Sequence, residues 1–239
     1  MRPRLLTAAA LASSVLPLAA CGQAADMGGP APALASSRVL DVALCDPSNG
    51  GFTAGATNPW FPIVVGQQWE YEGEDDGAFV ELTITVLAQT EVVAGITTRV
   101  VHEHEVEDGV VLEDSWNYFA QAADGTVCYF GEAVDIYHPD GSVTHEGAWR
   151  ADDGPDFAPG IMMPADPQVG DRFQMEVAPE IAEDEGRIVG TGGVTVPAGP
   201  FPETIRVREF NPLDAGKGYK VFAHGVGLVI DGGVELTDY

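Results

Sequence analysis

The sequence predicts an all-β domain, an antiparallel meander that curls into a barrel, half-barrel or sandwich. Three observations predict it. Val80, Leu82, Ile84 and Val86 alternate with Glu81, Thr83 and Thr85, the period of a half-buried strand. Turn signals recur at short spacing: Asp75-Asp76-Gly77, Asp108-Gly109, Asp124-Gly125, Asp140-Gly141 and Asp231-Gly232-Gly233. Each suits a hairpin connection. The chain also carries 29 glycines and 17 prolines, a supply of turn formers that favours many short strands over helix.

The elements follow in order. Arg2 and Arg4 are the only charges before Asp26, and Leu5 to Leu18 is an apolar run. That run is too short for a membrane span and suits the core of a signal peptide over residues 1–20. It ends in Leu18-Ala19-Ala20-Cys21, which resembles the lipobox of bacterial lipoproteins. The resemblance implies that Cys21 is lipidated, with palmitate among its acyl chains, and becomes the mature N-terminus. Gly22 to Ser37 is small, rich in Gly and Pro, and without periodicity. It reads as a flexible tether spanning roughly 20–25 Å r.m.s.. Residues 38–239 read as a single β domain, a length that suits one all-β unit. Within it, Val/Ile/Thr/aromatic runs lie around 97–107, 110–121, 126–130, 133–138 and 142–149. Further runs follow at 172–178, 187–196, 203–210, 218–223 and 226–230. Only 179–185 suggests a short helix, with Pro179 in its first turn. No 20–50-residue repeat is visible.

Several segments carry a wider resemblance. They include Asn58-Pro59-Trp60-Phe61-Pro62, Gly66-Gln67-Gln68-Trp69-Glu70-Tyr71-Glu72-Gly73 and Asp124-Gly125-Thr126-Val127-Cys128-Tyr129-Phe130-Gly131-Glu132. Phe119-Ala120-Gln121, Gly160-Ile161-Met162-Met163-Pro164-Ala165, Val194-Thr195-Val196-Pro197-Ala198-Gly199 and Gly225-Val226-Gly227-Leu228-Val229 complete the set. Together, over about residues 45 to 230, the chain resembles an uncharacterised family of bacterial secreted proteins and lipoproteins. The resemblance implies a β-rich domain of the cell envelope, on the extracytoplasmic side, and carries over no catalytic residue.

Charge narrows the partners. The formal net charge is −26, and loss of Arg2 and Arg4 with the leader makes it more negative. Such a surface repels nucleic-acid phosphates and anionic lipid headgroups. Nucleic acid is therefore excluded as a partner, and membrane contact falls to the lipid anchor. Cys45 and Cys128 remain after Cys21. Outside the cytoplasm thiols pair, so a Cys45–Cys128 disulfide is expected. It closes a loop of about 80 residues, worth ~4–5 kcal/mol in the chain-entropy model.

One constellation has chemical promise. A turn with Gly109 in the bulge position places Val100, Val106, Val110, Leu112, Trp116 and Tyr118 on one face of a hairpin. Glu103, Glu105, Glu107, Glu113, Ser115 and Asn117 take the other. His102, His104 and Asp114 then share the apolar face, with His102 across from Asp114 and the two histidines about 7 Å apart. Two readings fit. One is a divalent-metal or acid–base site inside a β cup; the other is a His–Asp hydrogen bond at the open end of a core. The second needs no further ligand and is the plainer. A metal site would need a third ligand, which His138, His145 or His224 could supply. A second hairpin is expected to pair Asp135 with His145 across a surface. Trp116 and Tyr118 on the apolar face, and Trp60 and Phe61 on a Pro-bounded arm, are the candidate ligand-contacting aromatics.

Other chemistries lack their residues. There is no Gly-x-Ser-x-Gly elbow, no Cys-x-x-Cys, and no glycine loop in strand–loop–helix context. The acidic turns do not follow EF-hand spacing. The leading expectation is a non-enzymatic, lipid-anchored envelope protein whose β cup holds a hydrophobic or small ligand or a protein partner. A metal-binding protein or metal-dependent enzyme built on His102, His104 and Asp114 is the alternative. No organic cofactor is implied, and a divalent metal belongs only to that alternative.

Overall fold

The computed structural model describes residues 37–75, 77–213 and 217–239. Cys21 and the Gly22–Ser36 part of the tether lie outside the described residues, as does Asp76 of the first turn. Two short 3-10 turns, Val42–Cys45 and Pro47–Asn49, open the described chain. No helix among the described residues is long and apolar enough to cross a membrane.

Everything else is strand and turn. The first meander comprises β1 (Gln68–Asp75), β2 (Ala78–Val93), β3 (Ile96–Glu107), β4 (Val110–Gln121) and β5 (Val127–Tyr137). Three short strands, β6 (Val143–Thr144), β7 (Trp149–Arg150) and β8 (Gly160–Met163), all pair with β5. The second meander comprises β9 (Arg172–Gln174), β10 (Glu185–Val196), β11 (Gly199–Phe210), β12 (Lys217–Ala223), β13 (Gly227–Asp231) and β14 (Val234–Asp238). The main order is β6-β5-β4-β3-β2-β1-β14-β13-β12-β11-β10-β9. The last strand thus pairs with the first, and one antiparallel sheet of 14 strands runs through both meanders. It does not close into a barrel. At the β1–β14 seam the backbones touch: a Cβ on Gly73 would meet the Gly233 carbonyl oxygen at 2.1 Å. Only glycine permits that approach.

The Asp-Gly signals mark turns, and their chemistry sets the register. Asp108 and Gly109 both have positive φ, 49° and 80°. They form a two-residue turn with Glu107 opposite Val110, the geometry that matches strand twist. Here the structure corrects the sequence reading. The irregularity lies not at Gly109 but inside the ladder, between Glu105 and Val106, where Leu112 is the extra residue. Asp114 consequently sits opposite His104, and His102 opposite Trp116.

A second correction concerns residues 179–185. Ala178 and Ala182 exchange backbone hydrogen bonds of 2.9 Å across a tight turn, and Glu180 takes φ 66° within it. Seven residues cannot offset the cost of nucleating a helix. Glu185 instead begins β10.

Cys45 and Cys128 form a disulfide with Cα atoms 5.6 Å apart, and both are fully buried. It ties the N-terminal 3-10 turn to β5.

An arm, Asn58 to Ile63, crosses one end of the curled sheet. Asn58 is buried and pins it: its side-chain amide donates to the carbonyls of Gly125 (3.1 Å) and Pro164 (2.9 Å). The arm delivers Phe61 between the two walls, 5.1 Å from Phe119 of β4 and 6.2 Å from Phe222 of β12.

Candidate functional site

The inner faces of the curled sheet enclose a cavity of about 200 Å³. Period-two alternation decides what lines it. On β2, Val86 and Ile84 point in, and their cross-strand partners on β3 are Val101 and Glu103. On β4 the inward series is Phe119, Asn117, Ser115 and Glu113, because each lies opposite Arg99, Val101, Glu103 and Glu105 in turn. On the facing wall, Phe222 and Lys220 of β12 pair with Ile205 and Val207 of β11, and Glu209 lies one step further along. Both walls therefore change from apolar to charged in the same direction. The apolar end is Phe61, Phe119 and Phe222; the charged part holds Glu103, Glu132, Glu176, Asp184, Glu209 and Lys220.

Among the described residues, Lys220 is the single base lining the cavity. Its ammonium lies 3.2 Å from Asp231 and 3.9 Å from Glu209. Burial alone would lower its pKa, but Asp231, Glu209 and Glu103 outweigh burial and raise it well above the ordinary lysine value. The acids respond oppositely. Burial pushes Glu103 up to about 7, with Asp231 and Glu113 adding to the rise and Lys220 opposing it. Glu105, further along β3, is pushed up to about 8 by burial and by Glu113. Burial and neighbouring carboxylates likewise raise Glu132, Glu176 and Glu209. Glu103 makes no hydrogen bond and no ion pair within 4 Å among the described residues. It is half-buried and lines the cavity. One oxygen of Glu105 is buried without a hydrogen-bond partner.

Aromatic and amide side chains around the cup make defined hydrogen bonds. The Tyr129 hydroxyl donates to Asn117 Oδ1 at 2.6 Å. Trp69 Nε1 and the Tyr71 hydroxyl donate to the carbonyls of Val226 and Leu228, both at 3.0 Å. These bonds fix three aromatic walls of the cup against neighbouring strands.

The histidine cluster lies on the other face of the sheet. His102, His104, Asp114 and Trp116 share one side of the β3–β4 hairpin, as the sequence pattern implies. That side is the outer one, and the glutamate side faces inward. His102 Nε2 and His104 Nδ1 both approach the same oxygen of Asp114, each at 2.8 Å. The Tyr137 hydroxyl donates to its other oxygen at 3.1 Å. His102 stacks on Trp116 at 5.1 Å. His102, His104 and Asp114, the residues of the alternative metal reading, are brought together as a hydrogen-bonded cluster. Both imidazoles spend their facing nitrogens on one carboxylate oxygen. No group of three or more His, Cys, Asp or Glu among the described residues is arranged to hold a metal ion.

The candidate aromatics separate. Phe61 lines the cavity. Trp60, beside it on the arm, packs edge-on against His224 at 5.1 Å. Trp116 is on the outer face, and Tyr118, also outward, is covered by Arg150, whose guanidinium carbon lies 5.5 Å from its ring centre. Neither lines the cavity. His145 meets Asp135 at 2.9 Å on the exposed hairpin.

The sequence pattern does not show that these glutamates point inward, since charge on a strand ordinarily marks the solvent face. A signal was present. Ala94-Gly95 forms a two-residue turn, φ 50° and 78°, joining β2 to β3. That turn sets the Val80-Leu82-Ile84 face of β2 against the odd positions of β3, which are Glu103, Glu105 and Glu107.

No protein-family model and no curated protein matches the chain. Among solved structures, a crystal structure of a candidate lipoprotein from Parabacteroides distasonis is similar over 76% of this chain and 98% of its own. The identity is 13% and the TM-score 0.37. A likeness that loose leaves the function to be read from the site itself.

Proposed function

We propose that the chain is a cell-envelope protein, held by lipid on Cys21 and tethered through residues 22–37, whose single β domain (38–239) binds a small ligand in the cup. The role is non-enzymatic. The observation that carries the binding reading is the cavity: an apolar end made by Phe61, Phe119 and Phe222, and polar groups gathered at the other. Concave sites that combine a mostly apolar wall with a few convergent polar groups are where small molecules bind. The volume, about 200 Å³, lies below the ~300–1,000 Å³ usual for drug-sized ligands, so the ligand is small. The observation that supports the address is the Leu18-Ala19-Ala20-Cys21 sequence behind its apolar run.

Two measurements test the two halves. Metabolic labelling with radioactive palmitate should mark the wild-type chain and not Cys21→Ser; label on both, or on neither, removes the anchor. Native mass spectrometry of the full chain purified from cells should show a retained small molecule. A bare mass in every preparation, with no ligand taken up from a small-molecule panel, removes the binding role.

A further inference from the structure

We propose that the cup takes a small organic cation, an ammonium or guanidinium group carried on an apolar body. The inference rests on the binding reading above and names the ligand class.

Four observations converge on it. First, the cavity lining carries five carboxylates, Glu103, Glu132, Glu176, Asp184 and Glu209, against one base, Lys220. Second, that base is already committed to Asp231 and Glu209. Glu103 faces it from the opposite wall with no hydrogen bond or ion pair of its own. Glu103 is half-buried on the cavity wall and feels Lys220 only at a distance, so a cation in the cavity would give it a direct partner. Third, the acids do not converge tightly enough for a metal: no set of three carboxylates or imidazoles is placed to share an ion. They surround a volume instead, as a ligand larger than one atom requires. Fourth, the volume beyond the carboxylates is bounded by the rings of Phe61, Phe119 and Phe222. An apolar body fits there, and the ring faces also attract a nearby cation. An anion would add to the charge that already pushes these acids up, and a neutral ligand would offer Glu103 no direct ion pair.

Lys220 shows the principle at work inside the protein. It is a butylammonium delivered from the wall, and it satisfies two carboxylates. The proposed ligand does the same for Glu103, which Lys220 does not contact directly.

The test uses three probes that share one ring: 2-phenylethylamine, 2-phenylethanol and phenylacetate. Calorimetric titration into the full purified chain at pH 8 should show the amine binding. The alcohol should bind about tenfold or more weakly, and phenylacetate should not bind detectably. Glu103→Gln keeps the shape and removes the charge; it should weaken the amine by about tenfold and leave the alcohol unchanged. Its thermal midpoint should be no lower than wild type, so weaker binding cannot be assigned to unfolding. Equal affinity for amine and alcohol overturns the cation preference while leaving the cup a binding site. Binding of calcium chloride with none of the amine also overturns it, in favour of a metal. If the amine fails outright, native mass spectrometry of the same preparation separates the two failures. A retained neutral or anionic molecule removes only the ligand class, and a bare protein removes the binding reading with it.

Discussion

The Lys220 ammonium lies 3.2 Å from the Asp231 carboxylate, and the two residues are direct cross-strand partners on β12 and β13. The pair sits where the two walls of the cup face each other. It holds the only positive charge among the residues that line the cavity, so its removal should be felt by every acid there.

Lys220→Met keeps the length of the side chain and removes the charge. Asp231 and Glu209 then lose their partner inside the cup. Both side chains of the Lys220–Asp231 pair are about a quarter exposed, so removing the charge should cost about 1–2 kcal/mol. Urea unfolding at pH 8 should show it. Adding Asp231→Asn to Lys220→Met should recover part of the loss, since the second change removes one stranded charge. An additive double variant would mean that the two residues do not act on each other.

The raised acids give the protein an unusual pH dependence. Glu103 titrates near 7 and Glu105 near 8 in the folded state, against ~4.3 when unfolded. Glu103 faces Lys220 of β12, Asp231 of β13 and Glu113 of β4; Glu105 faces Glu113, Asp231, Glu103 and Glu107. Between the unfolded and folded values the native state binds more protons than the unfolded one. Stability therefore falls as pH rises. The contribution is intact below pH ~4.3 and lost as pH passes through 7 to 8. Unfolding free energy should drop by about 3 kcal/mol between pH 5 and pH 8.5, allowing for screening by water in the cup. Glu103→Gln should flatten the slope. A stability that stays level or climbs over this interval would show that burial does not raise these carboxylates. The proposed amine should narrow the drop, because it compensates the same charges at high pH.

The strands, the disulfide and the turns were legible in the sequence; the inside and the outside of one hairpin were not. Alternation at Val80 to Val86 located β2 and its buried face, since solvent on one side and packing on the other imposes period two. Asp108-Gly109 located a turn, since few other residues tolerate two successive positive φ values. The segregation of apolar from acidic residues on β3 and β4 was also real. Its direction could not be read from those strands alone. Val100 and Tyr118 are core, as their pattern implies, but on the face turned away from the cavity, where Arg150 covers Tyr118. Glu103 and Glu113 look like surface, yet Glu103 lines the cavity and Glu113 shares its face. A rule that charge points to water fails where a protein builds a cavity for charge. The Asn58–Ile63 arm was visible as an extended Pro-bounded segment, but its place between Phe119 and Phe222 depends on contacts far apart in sequence.

The disulfide should matter more for keeping the fold than for shaping the cup. Cys45 and Cys128 are separated by 83 positions, and a cross-link closing such a loop restricts the unfolded chain by about 4–5 kcal/mol. Cys128 lies on β5, which pairs with β4, β6, β7 and β8, so the bond anchors the N-terminal turn to the most heavily paired strand. Cys45→Ser/Cys128→Ser should lower the urea midpoint by an amount near that figure, and the oxidised wild type should move to the same midpoint when reduced. Amine affinity under native conditions should change less than threefold, roughly within 0.7 kcal/mol, because neither cysteine lines the cavity. A large loss of affinity without a shift in the midpoint would contradict this division.

The outer-face cluster offers the matching control. Burial by itself would raise the Asp114 carboxyl, but hydrogen bonds from His104, His102 and Tyr137 outweigh it and hold the group below its usual value. A lowered carboxyl contributes stability above its unfolded value of about 3.8 and loses it as pH falls below that point. Asp114→Asn should therefore cost about 1 kcal/mol at neutral pH, a modest figure because both histidines are partly exposed. The difference from wild type should shrink as the pH is lowered through 3. Because Asp114 faces away from the cavity, amine affinity should be unmoved. The pair Asp114→Asn and Glu103→Gln thus separates the two faces of one hairpin: the outer substitution changes stability alone, and the inner one changes binding. Loss of amine binding in Asp114→Asn, with Glu103→Gln silent, would place the site on the outer face.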